Sequence, residues 1–448
     1  MRIMALGKIQ RERQETLWIP TNKISKPAAH PFYMRLNSIL GEAQFDSFVE
    51  KLCAKFYAPK MGRPGLAPGI YFRLLLVGYF EGLDSERGIA WRTADSLALR
   101  DFLGLTLMEA PPDHSTISRT RRLIDVETHQ AVFTWVLERL AEKGFLKGKT
   151  IGIDATTLEA NAALRSIVRR DSGESYQEFL TALAKESGIP TPTREDLARL
   201  DRKRKKKVSN KDWKNPHDPD ARITKMKDGR THLAHKAEQA VDLETGVVVG
   251  VTIQGADKGD TSTMTETLVT AAEQIQAALP ESEGIQELVT DKGYYSTERI
   301  QDLEQLGLRA YISEPKQQRR RWRGNKKAQS AVYRNRRRVR GKRGKALLRS
   351  RGERLERPFA HLYGTGGMRR THLRGRSNIL KRVLIHVSAL NLGFLMRAAI
   401  GFGTPRSIQG RTVGHVFVLI RSFLTILTTL SASIFRFRIS RLRFAQLH

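Results

Sequence analysis

Three acidic residues, Asp154, Asp291 and Glu356, occupy positions where a carboxylate could take part in chemistry. Asp154 interrupts an alternating apolar run, and Asp291 ends a later apolar run shortly before Gly293. A carboxylate among apolar strand neighbours is desolvated, which is costly unless a cation or a hydrogen-bond donor compensates it. With no set of His and Cys nearby, these residues predict an all-oxygen site for Mg²⁺ or Mn²⁺. Two such ions could activate water and stabilise a leaving 3′ oxygen in a phosphodiester displacement.

Position alone leaves other interpretations of these carboxylates open. An aspartate in a strand is often a turn or edge residue, and Glu353 lies three residues before Glu356 on a comparable part of the same helix. Because proline fits a helix only in its first turn, Pro358 predicts that Glu356 lies at a helix start, where it could face the sheet. Asp257 and Asp260 could form a cation-binding loop. A helix beginning at the next residue makes Asp260 an ordinary N-cap, and we favour the cap.

The elements that must position these residues change character near residue 148. Before it, apolar residues recur at helical spacing over segments 31–57, 68–83, 85–105 and 116–144. After it, the pattern predicts strands over 150–157, 235–243, 246–254, 286–290 and 309–313, with helices over 261–278 and 296–306. Three strands followed by alternating helix and strand predict an α/β fold. The expected architecture is a mixed sheet with flanking helices, preceded by an all-α domain.

The charge balance indicates a polyanionic partner. The chain has 448 residues, with 78 Lys and Arg against 46 Asp and Glu, which gives a formal net charge of +32. Such a surface repels itself unless it meets a polyanion, which favours nucleic acid ahead of an acidic membrane surface. With 40% hydrophobic and 28% charged residues, the composition is that of a folded soluble chain. It excludes the collagen-like and wholly disordered classes.

Three basic segments could contact a DNA backbone. Residues 117–124 would place arginines around a short helix, although a solvated helix face explains them equally well. The tract 316–345 holds fifteen Lys and Arg and no acid, so we expect it to be mobile without a polyanion, with Trp322 and Tyr333 offering flat surfaces for an unpaired base. Segment 368–374 follows Glu356. The predicted DNA-contact residues are Arg119, Arg121, Arg122, Arg319, Arg320, Arg321, Trp322, Arg323, Arg336, Arg337, Arg338, Arg369, Arg370 and Arg374.

These patterns divide the chain into three predicted domains. Residues 1–147 form a helical DNA-binding domain, 148–395 a catalytic α/β domain, and 396–448 a C-terminal amphipathic helical extension. An insertion at about 164–230, helical in its first half, separates the first strand from the following hairpin. Segment 416–435 is long enough to cross a bilayer, but its arginine and hydroxyl residues share one helical face. We favour a docked amphipathic helix over a transmembrane span.

Cysteine content and the N-terminus indicate the compartment. Cys53 is the single cysteine, which excludes an intramolecular disulfide and a cysteine-based metal site. The first residues lack the apolar core of a signal peptide because charges interrupt them. Both observations fit a reducing cytosol.

Three sequence blocks, in this order, resemble bacterial insertion-sequence transposases of the DDE type. They are Gly152-Ile-Asp-Ala-Thr, Val289-Thr-Asp-Lys-Gly-Tyr and Arg354-Leu-Glu-Arg-Pro-Phe-Ala-His-Leu-Tyr, the last followed by Gly366-Gly-Met-Arg-Arg-Thr-His-Leu-Arg-Gly. The resemblance extends to the N-terminal region through Arg63-Pro-Gly-Leu-Ala-Pro and Asp113-His-Ser-Thr-Ile-Ser-Arg. One departure is that Gly352 and Tyr363 occupy places where many related enzymes carry arginine and lysine.

The resemblance implies an RNase H-like sheet in which Asp154, Asp291 and Glu356 bind two Mg²⁺ or Mn²⁺ ions, and it favours Glu356 over Glu353. It implies an enzyme that binds the terminal inverted repeats of its own element, cleaves at the 3′ ends and joins those ends to target DNA. The partners would be double-stranded element ends and target DNA, held by a homodimer in the cytoplasm at the nucleoid, with no membrane. Two alternatives remain: a non-catalytic DNA-binding remnant, and a metal-dependent nuclease that cuts without joining.

Overall fold

Helices build the first part of the chain, as predicted. The computed structural model describes residues 30–58, 65–106, 108–204, 208–226, 229–315, 322 and 324–409. The helices before the sheet are α1 (Pro31–Glu42), α2 (Phe45–Cys53), α3 (Pro68–Glu81), α4 (Glu86–Ala94), α5 (Leu97–Phe102), α6 (His114–Leu123) and α7 (Val126–Glu142). Helix α3 is buried on nearly all sides, because its apolar residues surround the helix rather than forming a stripe.

The central sheet is mixed, as the strand pattern predicts, and has the RNase H-like strand arrangement that the resemblance implies. The strands of the described chain are β1 (Thr150–Glu159), β2 (Val168–Arg169), β3 (Trp213–Lys214), β4 (Arg222–Lys225), β5 (Thr231–Asp242), β6 (Val248–Gly255), β7 (Glu287–Thr290) and β8 (Arg309–Ile312). Strand β5 lies antiparallel to β1 on one edge and carries β4 and β6 on the other. Strand β7 lies parallel to β1, and β8 lies parallel to β7. The first strand is therefore central to the sheet.

Helices cover both faces of this sheet. The later helices are α8 (Tyr176–Glu186), α9 (Arg194–Lys203), α10 (Asp260–Ala278), α11 (Thr297–Gln305), α12 (Lys326–Arg340), α13 (Lys342–Gly364), α14 (Arg376–Ile400) and α15 (Pro405–Gln409). Helix α10 packs on β6, and α13 packs on β1 and β7. The insertion is not one helical segment: α8 and α9 each begin with a capping box, and β2 pairs with β3 as a separate two-stranded sheet.

One of two predictions for the basic region is wrong. The mobility expected of tract 316–345 without a polyanion stays a prediction; its described part is largely helical, in α12 and the start of α13. Pro358 does not mark a helix start, because sixteen residues of α13 precede it. Glu356 therefore lies deep within a long helix. Pro358 is itself buried in the face that packs on the sheet, so tertiary contacts outweigh the local cost of proline in a helix interior.

Helix α14 joins the helical region to the sheet. It contacts α3 and α7 on one side and β6 on the other, so one hydrophobic core runs through both predicted domains. By length and composition it could cross a membrane, but most of its apolar stretch is buried inside the protein, as in a core helix. The predicted C-terminal helix at 416–435 lies outside the described residues.

Candidate active site

The sheet brings two of the three predicted acidic residues together. On β1, Asp154 lies opposite Gln239 of β5. The parallel pairing of β1 with β7 ends at Gly152 and Val289, two residues before Asp154 and Asp291 respectively. Continuing that register places Asp291 beside Asp154 at the carboxyl end of β7. The charge of Asp291 also acts on Asp154. The two aspartates therefore form an acidic pair on neighbouring strands.

Asp154 is desolvated and only partly compensated. Burial raises the pKa of its carboxyl group, while the N–H of Ala155, 2.8 Å from Oδ1, and the charge of Arg351 lower it. The guanidinium of Arg351 reaches from α13 and lies 3.3 Å from Oδ2. The nearby charges of Asp291 and Asp260 raise the pKa further. A positive charge at this point would stabilise the ionised form, and Arg351 now supplies it.

Asp291 is fixed by the tight turn that follows β7. Its Oδ1 accepts the N–H of Gly293 at 2.8 Å. A Cβ on Gly293 would lie 2.7 Å from Oδ2 of Asp260 and 3.1 Å from Oδ1 of Asp291. The absence of a Cβ at Gly293 therefore leaves room for two carboxylates beside the same backbone.

Replacing Gly293 with alanine should displace these carboxylates. Since misplacing a reacting group by about 1 Å can cost on the order of 100-fold in rate, we expect cleavage of a DNA end to fall roughly 10- to 100-fold. The matched control is Gly259→Ala in the loop before α10, where an added Cβ would meet nothing within 4 Å. Equal cleavage rates for the two variants, measured on one labelled duplex, would contradict this account of Gly293.

The predicted N-cap role of Asp260 is wrong. Helix α10 begins at Asp260 itself, and Gly259 occupies the N-cap. The side chain of Asp260 instead forms an ion pair with Lys236, whose Nζ lies 2.6 Å from Oδ1 of Asp260. Asp257 lies 3.7 Å from Arg222. Both carboxylates of the alternative cation loop therefore face cations of the protein.

A buried polar network supports the turn after Asp291. Glu238, fully buried on β5, accepts the hydroxyl of Tyr294 at 2.7 Å and that of Thr263 at 2.8 Å. Lys236 donates to the same Thr263 hydroxyl at 2.9 Å and lies 3.7 Å from Glu238. Burial and the charge of Glu238 raise the pKa of Tyr294, which keeps its hydroxyl protonated as a donor. The network ties the turn to β5 and α10.

Glu356 lies on the helix that covers Asp154. On that helix the Tyr363 hydroxyl donates to the Thr157 carbonyl at 2.8 Å and also contacts the side chain of Thr156. Glu356 and Tyr363 are seven residues apart and share one face of α13. Thr156 and Asp154 share one face of β1. Glu356 is thus two turns back from Tyr363, on the same side of α13.

The structure does not gather all three acidic residues. The side chain of Glu356 is exposed. Among the residues that the structure describes, no three His, Cys, Asp or Glu side chains stand close enough to hold a metal ion. The donor chemistry nevertheless fits a hard cation, because Asp154 is desolvated beside other carboxylates and already attracts a guanidinium. Asp154 and Asp291 are the two carboxylates that the sheet places where they could hold such a cation.

One predicted DNA-contact residue is buried, so that prediction is wrong. Arg121 of α6 donates to Glu86 at 2.7 Å, to Asn378 at 2.6 Å and to Ser118 at 3.1 Å. Through these hydrogen bonds its guanidinium joins α4, α6 and α14, and it is too deeply buried to contact a phosphate.

The other predicted arginines differ in how exposed their side chains are and in whether they pair within the protein. Arg336 pairs with Glu314 at 2.6 Å, and half-buried Arg338 donates to the Ala310 carbonyl, so both help to hold α12 against the sheet. The exposed members are Arg119, Arg122, Arg337, Arg369, Arg370 and Arg374. The predicted contacts that fall outside the described residues are Arg319, Arg320, Arg321 and Arg323.

The predicted stacking surface is only partly open. The rings of Trp322 and Tyr333 lie 6.3 Å apart, and Trp322 packs against the core. The Tyr333 ring is 44% exposed and carries the guanidinium of Arg336 at 5.1 Å. Tyr333 therefore has the larger accessible face of the two.

The strand order and the acidic pair define the class of this chain: it carries an RNase H-like domain behind a helical region. Comparison with protein families finds two matches. A family described as Transposase domain (DUF772) matches residues 22–123, and a family described as Transposase DDE domain matches residues 187–392. Two stretches of the chain are therefore similar to transposase families, the second of them of the DDE type. The second match contains Asp291 and Glu356, whereas Asp154 precedes it.

Solved structures that the chain matches include two of the Mos1 transposase. One is the paired-end complex with left transposon end, at 11% identity and a TM-score of 0.19, covering 69% of this chain and 82% of that chain. The other is the Mos1 mariner paired end complex with Mn, at 10% identity and a TM-score of 0.20, covering 70% of this chain and 87% of that chain. No curated protein matches the sequence.

Proposed function

We propose that this protein is an insertion-sequence transposase that binds the terminal inverted repeats of its element, cleaves at the 3′ ends and joins those ends to target DNA. The observation that carries the proposal is the position of Asp154 and Asp291 on the adjacent parallel strands β1 and β7, in a chain that matches a family of DDE transposases over residues 187–392. A nuclease site built from carboxylates needs this adjacency, because one cation must contact both side chains.

Asp154, Asp291 and Glu356 are the proposed ligands of two Mg²⁺ or Mn²⁺ ions. When bound, the ions would supply an activated water and stabilise the charge on the leaving oxygen. Arg351 compensates the negative charge of Asp154 until this carboxylate binds a metal ion, since the Arg351 guanidinium is the cation in contact with Asp154. The turn around Gly293 keeps Asp291 at the carboxyl end of its strand.

The proposed DNA-holding surface consists of the exposed arginines of α6, α12 and the segment after α13. They are Arg119, Arg122, Arg337, Arg369, Arg370 and Arg374. Such side chains neutralise phosphates and hold the duplex, while contributing little sequence information. Two element ends must meet for transposition, so the proposed assembly is a homodimer on double-stranded DNA, in the cytoplasm at the nucleoid.

A joining assay separates this function from its alternatives. The purified chain is incubated with a labelled duplex that carries the inverted repeat bordering its own gene, a supercoiled target plasmid and Mg²⁺. We expect the labelled 3′ ends to become covalently joined to the plasmid, and excess chelator to stop the reaction. Cut ends without joined products would identify a nuclease. Bound but uncut DNA would identify a non-catalytic remnant.

A further inference from the structure

Gln239 is a buried amide with no partner in the described part of the chain. Its side chain is fully buried on β5, and neither Oε1 nor Nε2 makes a hydrogen bond there. Burying an amide without a partner costs free energy, so native structures satisfy nearly all such groups. A group left in this state requires an explanation, and a role at a functional site is one.

The position of Gln239 singles out the acidic pair. In the sheet it stands directly opposite Asp154 on β1, so the two side chains project from the same face. On its other side Gln239 pairs with Val251 of β6, which offers no polar side chain. Its same-face neighbours along β5 are Ala237 and Val241, which are also apolar. Within the sheet, Asp154 is therefore the polar side chain directly opposite Gln239 on this face, and Thr156 of β1 lies diagonally from it.

Asp154 has unused capacity for such a donor. An ionised carboxylate accepts about four hydrogen bonds. Within the described chain the carboxylate of Asp154 receives the N–H of Ala155 on Oδ1 and the guanidinium of Arg351 on Oδ2, the latter at 3.3 Å. If a cation takes over the place of Arg351, the carboxylate loses one of these two contacts. A neighbouring amide could then orient it.

We propose that Gln239 is a positioning residue of the active site, whose side-chain amide orients the Asp154 carboxylate for metal binding. The inference rests on the proposed function only in taking Asp154 as a metal ligand. Without a bound metal ion, the amide has no hydrogen-bond partner among the described residues, which lowers the stability of the fold. It donates to Asp154 when the carboxylate turns from Arg351 towards a metal ion. An unpaired polar group of this kind trades stability for function.

The test compares two buried polar groups that lack partners. Gln239→Met removes the amide and keeps a side chain of similar length. Tyr79→Phe, on α3, removes a buried hydroxyl that also has no partner among the described residues. We expect both full-length variants to unfold at or above the wild-type temperature. The affinity for Mn²⁺ without DNA, measured by titration calorimetry, should weaken at least tenfold in Gln239→Met and stay unchanged in Tyr79→Phe.

Mn²⁺ affinity within twofold of wild type in Gln239→Met would overturn the proposal, whatever happens to cleavage. If that variant fails to fold, the same titration uses Gln239→Asn, which withdraws the amide by one methylene; weakened Mn²⁺ binding supports the proposal and wild-type binding overturns it. The titration needs no DNA joining. A wild-type protein that joins no DNA would therefore refute the proposed function alone, and wild-type Mn²⁺ affinity in the variant would refute the role of Gln239 alone.

Discussion

Replacing Asp154 with alanine is expected to reduce metal-dependent cleavage of an element-end duplex at least about a thousandfold, because several kcal/mol of transition-state stabilisation depend on the bound metal. The pKa of the Asp154 carboxyl group is raised, with desolvation as the main cause. Its loss would remove a proposed metal ligand from the centre of the sheet. Binding of the same duplex, measured by fluorescence anisotropy, should remain close to wild type, since the proposed phosphate contacts lie on exposed arginines.

The control for this loss is Asp257→Ala, which removes another acidic residue near the sheet edge, ion-paired with Arg222. We expect that variant to cleave at the wild-type rate. We do not expect Asp154→Ala to lose its cleavage activity by unfolding. A carboxyl whose pKa is raised on folding opposes folding at neutral pH, so its removal relieves a cost. Cleavage by Asp154→Ala within tenfold of wild type would contradict the assignment.

Replacing Arg121 with methionine should destabilise the protein by about 3–5 kcal/mol, the usual result of removing one partner from a buried ion pair. Glu86, whose side chain is 12% exposed, would lose its cation at 2.7 Å, and Asn378 would lose its donor. Both partners are held between helices of the two predicted domains. Chemical denaturation of the full-length chain measures the free energy of unfolding directly.

For the neighbouring variant Arg122→Met we expect the opposite result, a change in DNA binding without a loss of stability. Arg122 is exposed, so its replacement should change the free energy of unfolding by less than about 0.5 kcal/mol. It should weaken DNA binding and reduce the salt dependence of that binding by roughly one phosphate contact. An Arg121→Met protein as stable as wild type but weaker in DNA binding would show that the burial of Arg121 has been misjudged.

The alternating pattern was sufficient to predict five strands of the sheet and the two aspartates that β1 and β7 carry. The strands around Asp154 and Asp291, the hairpin between β5 and β6, and the helix that follows were all predicted within a few residues. Period-two alternation is a local signal, and an aspartate that interrupts it stands out. Strand ends and turns are likewise set by nearby residues, so sequence reasoning reaches them.

Features that depend on distant contacts were not predicted. Pro358 was interpreted as a helix start because its local cost is high, but the packing of α13 on the sheet outweighs that cost. Arg121 was predicted to contact DNA. Its burial depends on Glu86 and on Asn378, and Asn378 lies 257 residues further along the chain, so the local sequence does not reveal it. Gln239 was missed because its significance comes from the register of β5 against β1.

The most direct test of the central claim, that Asp154, Asp291 and Glu356 form one active site, compares Glu356→Gln with Glu353→Gln. Glu356 is exposed on the side of α13 that it shares with Tyr363, whereas Glu353 makes an exposed pair with Arg357 at 3.4 Å. The measurement is the rate of 3′-end cleavage of an element-end duplex in Mg²⁺. The account predicts that Glu356→Gln is inactive and that Glu353→Gln cleaves like wild type. An active Glu356→Gln protein would contradict it.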